Sequence, residues 1–431
     1  MVHVAMAGGG FRDLAWRIAR NAGGQPDRAR RRTRMATWLL GLCIFFDDYA
    51  NSLVVGSSIR PLADRTGVSR AKLAYLVDAT SAAVAGVAIV STWVGFEVGL
   101  LDDQITRFAG LADTGYGVFL AALPLRFYCL LTVIFAGFIA WTGRDFGPMW
   151  REENQAQAAY DQPVAPEGRA HWLDAMGPVL AVLLSVLGLN LWFGRAHDGG
   201  LLAQFIAGAE AAGLKVLAAA GVFGSIAAVA LSVGRRLLSV KAALHAWIAG
   251  VIAMTPVLAI LICAMSMRVV CDQAGTPSYL AALLSGVGGA WVPLMSFFIA
   301  ALVAFMTGSS WATMGILLPI VVPLAATAPG PDGIWLLAAT AAVLDGAIFG
   351  DHCSPISDTT VMSSAASGCA HDVHVWTQLP YAATVMVVAA LFGYVGTAWF
   401  GLSAPIALLL GALTLGATVR LLGRNQATQR G

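Results

Sequence analysis

The residues with the clearest capacity for chemistry lie in one short stretch, Gly350 to Thr360, reading GDHCSPISDTT. It places carboxylates (Asp351, Asp358) and hydroxyls (Ser354, Ser357, Thr359, Thr360) between apolar flanks. Trp335 to Phe349 is apolar apart from Thr340 and Asp345, and the chain is apolar again from Val375 to Phe400. Ionisable groups in such surroundings are costly and mark function by default. Pro355 lacks an N–H and disfavours helix at Ser354, which frees backbone carbonyls for a ligand. A broken helix lined by Asp, Ser and Thr supplies the hard oxygen ligands that a cation such as Na⁺ prefers.

A second set of such residues accompanies it. Asp47 and Asp48, followed by Asn51 and Ser52, interrupt an otherwise apolar segment, and Thr307, Gly308, Ser309 and Ser310 interrupt another. Adjacent carboxylates cannot face one point from a helix, so one of Asp47 and Asp48 is expected to line a site and the other to cap or pair. The Na⁺ ligand set expected from residue type is Asp48, Asn51, Ser309, Asp358 and Thr359. Thr307, Ser310, Asp351, Ser354, Ser357, Asp78 and Asp345 complete the ion-binding and proton-coupling candidates. Burial disfavours the charged form of a carboxylate, so such a group can hold H⁺ or Na⁺ but not both, which suffices for exchange. A zinc reading of His352, Cys353, Cys369, His371 and His374 is set aside, because the spacing does not suit one tight site. His371 and His374 read as loop histidines at the membrane edge, and Glu97 and Arg126 as lone charges within spans.

Composition sets the class that must position these residues. The chain has 431 residues, is 58% hydrophobic and 12% charged, and has a mean hydropathy of +0.74; soluble domains carry about 25% charged residues. This is the composition of an all-α polytopic membrane protein. The cysteines are scattered through apolar runs and give no disulfide framework. The first ~35 residues are Arg-rich and lack the apolar core of an export signal.

Apolar windows of spanning length fall at 73–101, 116–141, 174–193, 215–233, 243–265, 334–363, 376–400 and 404–422. Segments 36–63 and 293–325 instead have polar tips between apolar arms of roughly ten residues, each reaching ~15 Å, half a bilayer. They read as re-entrant hairpins, tolerated at that depth only if protein or water covers them. With that topology 21 of the Lys and Arg residues fall on one side and 4 on the other, so both termini are expected in the cytoplasm. The layout also repeats. A basic segment, 1–35, precedes a first repeat at 36–141, made of hairpin 36–63, broken helix 73–101 and span 116–141. A cytoplasmic loop at 142–173 leads to a second repeat at 174–431, with spans at 174–265, hairpin 293–325, broken helix 334–363 and spans at 376–422. Asp78 to Thr92 and Asp345 to Thr359 are both separations of 14 residues. The predicted fold is a pair of inverted repeats, each with a re-entrant hairpin and a broken transmembrane helix.

Phe45 to Gly56 (FFDDYANSLVVG), Ser91 to Glu97 (STWVGFE), Thr307 to Trp311 (TGSSW) and Gly350 to Ser364 (GDHCSPISDTTVMSS) closely resemble the NhaC family of Na⁺/H⁺ antiporters. The resemblance runs from about residue 36 to 400. It implies a bacterial inner-membrane carrier with Na⁺ and H⁺ as its partners and cargo, acting in pH homeostasis, with no cofactor and no nucleic-acid partner. The second half has three spans before its hairpin and the first half has none, so the resemblance also implies absent N-terminal helices.

The function expected is therefore secondary exchange of Na⁺ for H⁺ by alternating access, not enzymatic catalysis. Some relatives of similar sequence exchange malate for lactate; the lack of Arg or Lys at either hairpin tip favours cations alone. An intramembrane aspartyl protease is the remote alternative, weakened by Ile348 where that family has glycine. Homodimerisation is left open by the sequence.

Overall fold

The structure, a computed structural model, describes residues 1–10, 13, 26–105, 114–156, 170–197, 200–253, 255, 266, 273, 288–327 and 333–424. It is built of helices, and among the described residues the β-type pairing is a single bridge between Asp145 and Arg424. The chain forms two compact units. One comprises Met1–Asn21, Ile89–Leu120 and Pro163–Ile260; the other comprises Ala22–Ala88, Ala121–Gln162 and Leu261–Gly431. Both draw on both halves of the sequence, so the compact units partition the chain differently from the predicted repeats.

In the first unit, α1 (Val2–Ala7) packs on helices further along the chain. Val4 joins Ala228 and Ala243 in a buried apolar cluster, so the start of the basic segment contributes to packing. The long pair of this unit, Trp172–Phe193 and Leu201–Gly234, packs closely. Gly194 and Gly208 permit that approach, because a Cβ on Gly208 would collide with the backbone of Asn190. The expected span 215–233 is the second part of Leu201–Gly234, which is broken at Ala212. The expected span 243–265 is helical from Val240 to Ala253, and apart from residue 255 its remainder lies outside the described residues.

The second unit holds all of the candidate ion-site residues. Its helices in chain order are α2 (Pro26–Cys43), α3 (Asp48–Thr66), α4 (Arg70–Ala85), α5 (Phe127–Thr142), α6 (Gly147–Gln155), α7 (Trp291–Thr307), α8 (Ser310–Thr327), α9 (Ile334–Cys353), α10 (Asp358–Ser367), α11 (His371–Val388) and α12 (Ala404–Leu422). A π-helical stretch, Ala389–Val395, continues α11 toward Phe400.

Both expected hairpins are helix–break–helix elements. The first breaks at Ile44–Asp47 and starts earlier than expected: α2 begins at Pro26, because Arg and Ala between 28 and 36 are good helix formers. The second breaks at Gly308–Ser309, where Gly308 takes φ +65°, a left-handed conformation natural to glycine. The helix expected over 334–363 breaks at Ser354–Ser357, around Pro355. The helix expected over 73–101 ends at Ala85 and resumes at Thr92. The expected single span 116–141 is interrupted by a 3₁₀ turn at Leu123–Leu125. Pro124 and the buried charge of Arg126 explain that interruption.

Among the described residues, four helices are long and apolar enough to cross a membrane: Trp172–Phe193, Ile334–Cys353, His371–Phe400 and Ala404–Leu422, with Gly115–Leu125 and Phe127–Thr142 as a further broken pair. Close packing also holds the helices around the breaks. α9 lies on α7 through Gly346 and Gly350; a Cβ on Gly350 would stand 2.4 Å from the Ala304 Cβ and 2.6 Å from the Ala301 carbonyl. In the first turn of α4, Lys72 is fully buried and paired with Asp145, which also accepts from the Tyr381 hydroxyl at 2.5 Å.

Gly350→Val forces α9 away from α7 and should destabilise the protein by about 1–3 kcal/mol through overpacking. Thermal unfolding in detergent checks this, with Gly350→Ala melting between the variant and the wild type.

Candidate ion site

The site is built where helix breaks meet. Asp47 adopts extended backbone before α3, and its carboxylate accepts from the Ala50 N–H at 2.8 Å, a helix cap. Asp48 follows in the first turn of α3 and is buried. The two carboxylates thus have different roles, with Asp47 as the cap. Asn51 is fully buried, and the two N–H groups of its amide face the carbonyls of Gly41 at 2.8 Å, Ile44 at 3.1 Å and Thr80 at 2.9 Å. It therefore ties the end of α2 to α4, while its Oδ1 accepts from no described residue.

The second break rests on the third. A Cβ on Gly308 would lie 2.7 Å from the Ile356 carbonyl oxygen, so only glycine lets the α7–α8 tip sit against the α9–α10 break. Ser310, at the start of α8, donates to Asp351 Oδ2 at 2.5 Å. Asp351 is buried, and its Oδ1 accepts from no described residue. Thr307 is exposed and donates back to the Val303 carbonyl at 2.8 Å, and Ser309 caps the Ala312 N–H at 3.3 Å. Asp358, expected among the Na⁺ ligands, is exposed and accepts from the Tyr49 hydroxyl and from Thr359 N–H at 2.8 Å. Ser354, Ser357 and Thr359 are buried. The Ser354 hydroxyl accepts from Ile356 N–H at 3.3 Å, and the hydroxyls of Ser357 and Thr359 lie 3.0 Å apart.

Asp78, in the middle of α4, is the hub of a second buried network. Its Oδ1 lies 3.1 Å from the Ser363 hydroxyl, which is also 3.2 Å from that of Ser52. Its Oδ2 accepts from Gln378 Nε2 at 2.5 Å and from the Thr360 hydroxyl at 3.2 Å. Thr360 reaches the Asp351 carbonyl as well, at 3.1 Å, and Gln378 the His352 carbonyl, at 2.8 Å. The Asp78 network and the Asp351 segment are thereby joined through α10 and α11.

Asp345 stands apart from both. Arg126 donates to its Oδ1 at 2.9 Å, and the Tyr128 N–H at 2.6 Å and the Tyr394 hydroxyl at 2.9 Å occupy Oδ2. Arg126 also donates to the Gly86 carbonyl at 2.9 Å, which closes the end of α4. Both charges are fully buried. The pair holds the 3₁₀ turn and α5 against α9, and Asp345 has its carboxylate committed.

Gln378, Ser363 and Tyr49 are not among the sequence candidates, Thr360 enters there only as a hydroxyl of the motif, and the sequence reading places His374 in a loop. His374 is not a loop residue: it lies on α11, is fully buried, and touches Ser364 and Gln378. The available signal was the polar run His374, Thr377 and Gln378 at helical spacing, leading into an apolar span. Among the described residues, no group of three or more His, Cys, Asp or Glu side chains is arranged to chelate a metal. A cation here would draw on hydroxyl and carbonyl oxygens beside carboxylate.

Buried carboxylates at breaks between apolar helices define a polytopic membrane protein of the carrier type. Residues 82–397 match the model of the Na⁺/H⁺ antiporter family, and the chain belongs to that family. An uncharacterized protein of Haemophilus influenzae is 33% identical over 397 residues, spanning 88% of this chain and 74% of that protein. An uncharacterized Na⁺/H⁺ antiporter of the same organism is 40% identical over 116 residues, 25% of this chain and 24% of that protein. The fold is similar to that in the crystal structure of the Alcanivorax borkumensis YdaH transporter, described as having an unusual topology. The TM-score is 0.53 at 19% identity, covering 98% of this chain and 86% of that one.

Asp345→Asn leaves Arg126 buried without its charge partner and should cost about 3–5 kcal/mol. Adding Arg126→Met should recover part of that loss in thermal unfolding, a pattern expected of a structural pair.

Proposed function

We propose that this protein exchanges Na⁺ for H⁺ by alternating access across the bacterial cytoplasmic membrane, with both termini in the cytoplasm. The carrying observation is Asp351: a buried carboxylate with one oxygen held by Ser310 and the other accepting from no described residue, beside a proline-broken helix. A carboxylate so placed is stabilised by a proton or by a cation, and the two compete. Family membership supports Na⁺ and H⁺ as that pair.

In this reading Asp351 and Ser310 hold Na⁺ together with freed carbonyls of the breaks, and Asp78 carries protons through its own network. Thr360 links the two, since its hydroxyl contacts both the Asp78 carboxylate and the Asp351 carbonyl. Occupation of one site is then felt by the other through a single side chain.

Reconstituted protein should show Na⁺-driven H⁺ flux, with Li⁺, K⁺, malate and lactate assayed in parallel. Asp351→Asn and Asp78→Asn each remove a titratable proton while keeping size and hydrogen bonding, and should abolish the flux in folded protein. Ser310→Ala removes one neutral ligand and should mainly raise the KM for Na⁺. Exchange of malate for lactate without Na⁺-driven H⁺ flux would sink the proposal.

A further inference from the structure

Three side chains form a chain that the exchange reading leaves unused. His374 Nδ1 lies 2.8 Å from the Ser364 hydroxyl, and His371 Nδ1 lies 3.1 Å from the same oxygen. His374 Nε2 is 2.9 Å from Gln378 Oε1 and 4.0 Å from Asp78 Oδ2. His371 Nε2 is 2.6 Å from the Pro355 carbonyl. His374 is fully buried and Ser364 nearly so, whereas His371 is half-buried beside the exposed Pro355.

Proton positions follow from the partners. Gln378 spends its amide N–H groups on Asp78 and the His352 carbonyl, so its Oε1 can only accept, and His374 Nε2 must carry a proton. The Pro355 carbonyl likewise requires a proton on His371 Nε2. In the neutral rings both Nδ1 atoms are then acceptors, and both face one hydroxyl. Ser364 has a single proton, with the Thr360 carbonyl 2.7 Å away as a third acceptor. One added proton resolves the shortage: the protonated ring donates to Oγ, and the hydroxyl donates to the other ring.

We infer that His371, Ser364 and His374 share one proton and relay it between the exposed end of α11 and Asp78. The inference rests on the exchange reading above. In the transfer, the His371 Nδ1–H bond breaks as the proton moves to Ser364 Oγ, and the Ser364 O–H proton moves to His374 Nδ1. The hydroxyl is left neutral and the positive charge passes from one ring to the other. His374 then releases its Nε2 proton from Gln378 to the Asp78 carboxylate and is left as the Nδ1–H tautomer. Each further transfer requires the ring to return to its Nε2–H tautomer, and His371 takes its replacement proton from bulk water. Histidine is suited to this role because its charge changes near neutral pH.

Charged and titratable groups facing the relay come from each packed helix. They are Asp78 on α4, His352 on α9, Arg70 on α4 through its bond to the Gly368 carbonyl at 3.2 Å, and Arg60 on α3 against Gly368. Asp372 lies on α11 itself. Asp78 is the anion at the inner end, and the arginines lie toward the outer end.

The test uses the full chain in proteoliposomes, with two assays: Na⁺-driven H⁺ flux, and exchange of labelled Na⁺ for Na⁺ at equal pH, which moves no net proton. Ser364→Ala should lower the H⁺-coupled flux by a factor of about ten or more while Na⁺ for Na⁺ exchange is kept. Ser364→Thr retains the hydroxyl and should keep both. His371→Asn, at a half-buried position, should copy Ser364→Ala and carries the test if that variant does not fold. The relay is overturned if the variants keep wild-type H⁺ flux, or if they lose both assays equally. Absence of Na⁺-driven H⁺ flux in the wild type would instead overturn the exchange reading, and the relay with it.

Discussion

A carboxylate withdrawn from water must be paired with a charge, surrounded by hydrogen-bond donors, protonated or joined by a cation. The buried aspartates of the second unit meet that requirement to different degrees. Asp345 and Asp145 have a cation each, Arg126 and Lys72, reinforced by tyrosine hydroxyls. Asp78 has hydrogen bonds from Gln378, Thr360 and Ser363. Asp351 has Ser310 on one oxygen. The order runs from charges committed to architecture to a charge left for an exchangeable partner, and the functional proposal follows that order.

The same constraint explains the helix breaks. Interrupting a helix in apolar surroundings leaves backbone groups that need partners. Here Asp47 and Ser309 cap new ends, Ser354 and Asp358 accept from N–H groups beside the break, and the Asn51 amide lies against three carbonyls. Glycines then let the breaks approach one another. Gly308 against Ile356 and Gly350 against Ala301 and Ala304 are positions where any side chain would push the site open. Polar capping and close glycine contacts thus fix where the carboxylates stand.

Much of this was legible in the sequence. Proline in GDHCSPISDTT, polar tips between short apolar arms and low charge content predicted the breaks and the membrane class, because each is a local property. Partnership was not legible. Asp345 and Asp78 look alike as lone aspartates in apolar runs, yet one meets an arginine 219 positions away and the other a glutamine 300 positions away. Asp358 looked like the stronger ligand, but the first turn of α10 turns it outward toward Tyr49. His374 was read as an edge residue; the helix that buries it is defined by tertiary packing with α10 and α4. The buried role of Lys72 was hidden by its place in a basic stretch.

The central claim is that Na⁺ and H⁺ compete for carboxylates in one network. Its most direct test is proton release on Na⁺ binding to the purified protein, measured by calorimetry in buffers of different ionisation enthalpy. The account predicts that Na⁺ binding releases protons, and that the release is lost in Asp351→Asn. Na⁺ binding of equal affinity at every pH, with no proton released, would contradict it.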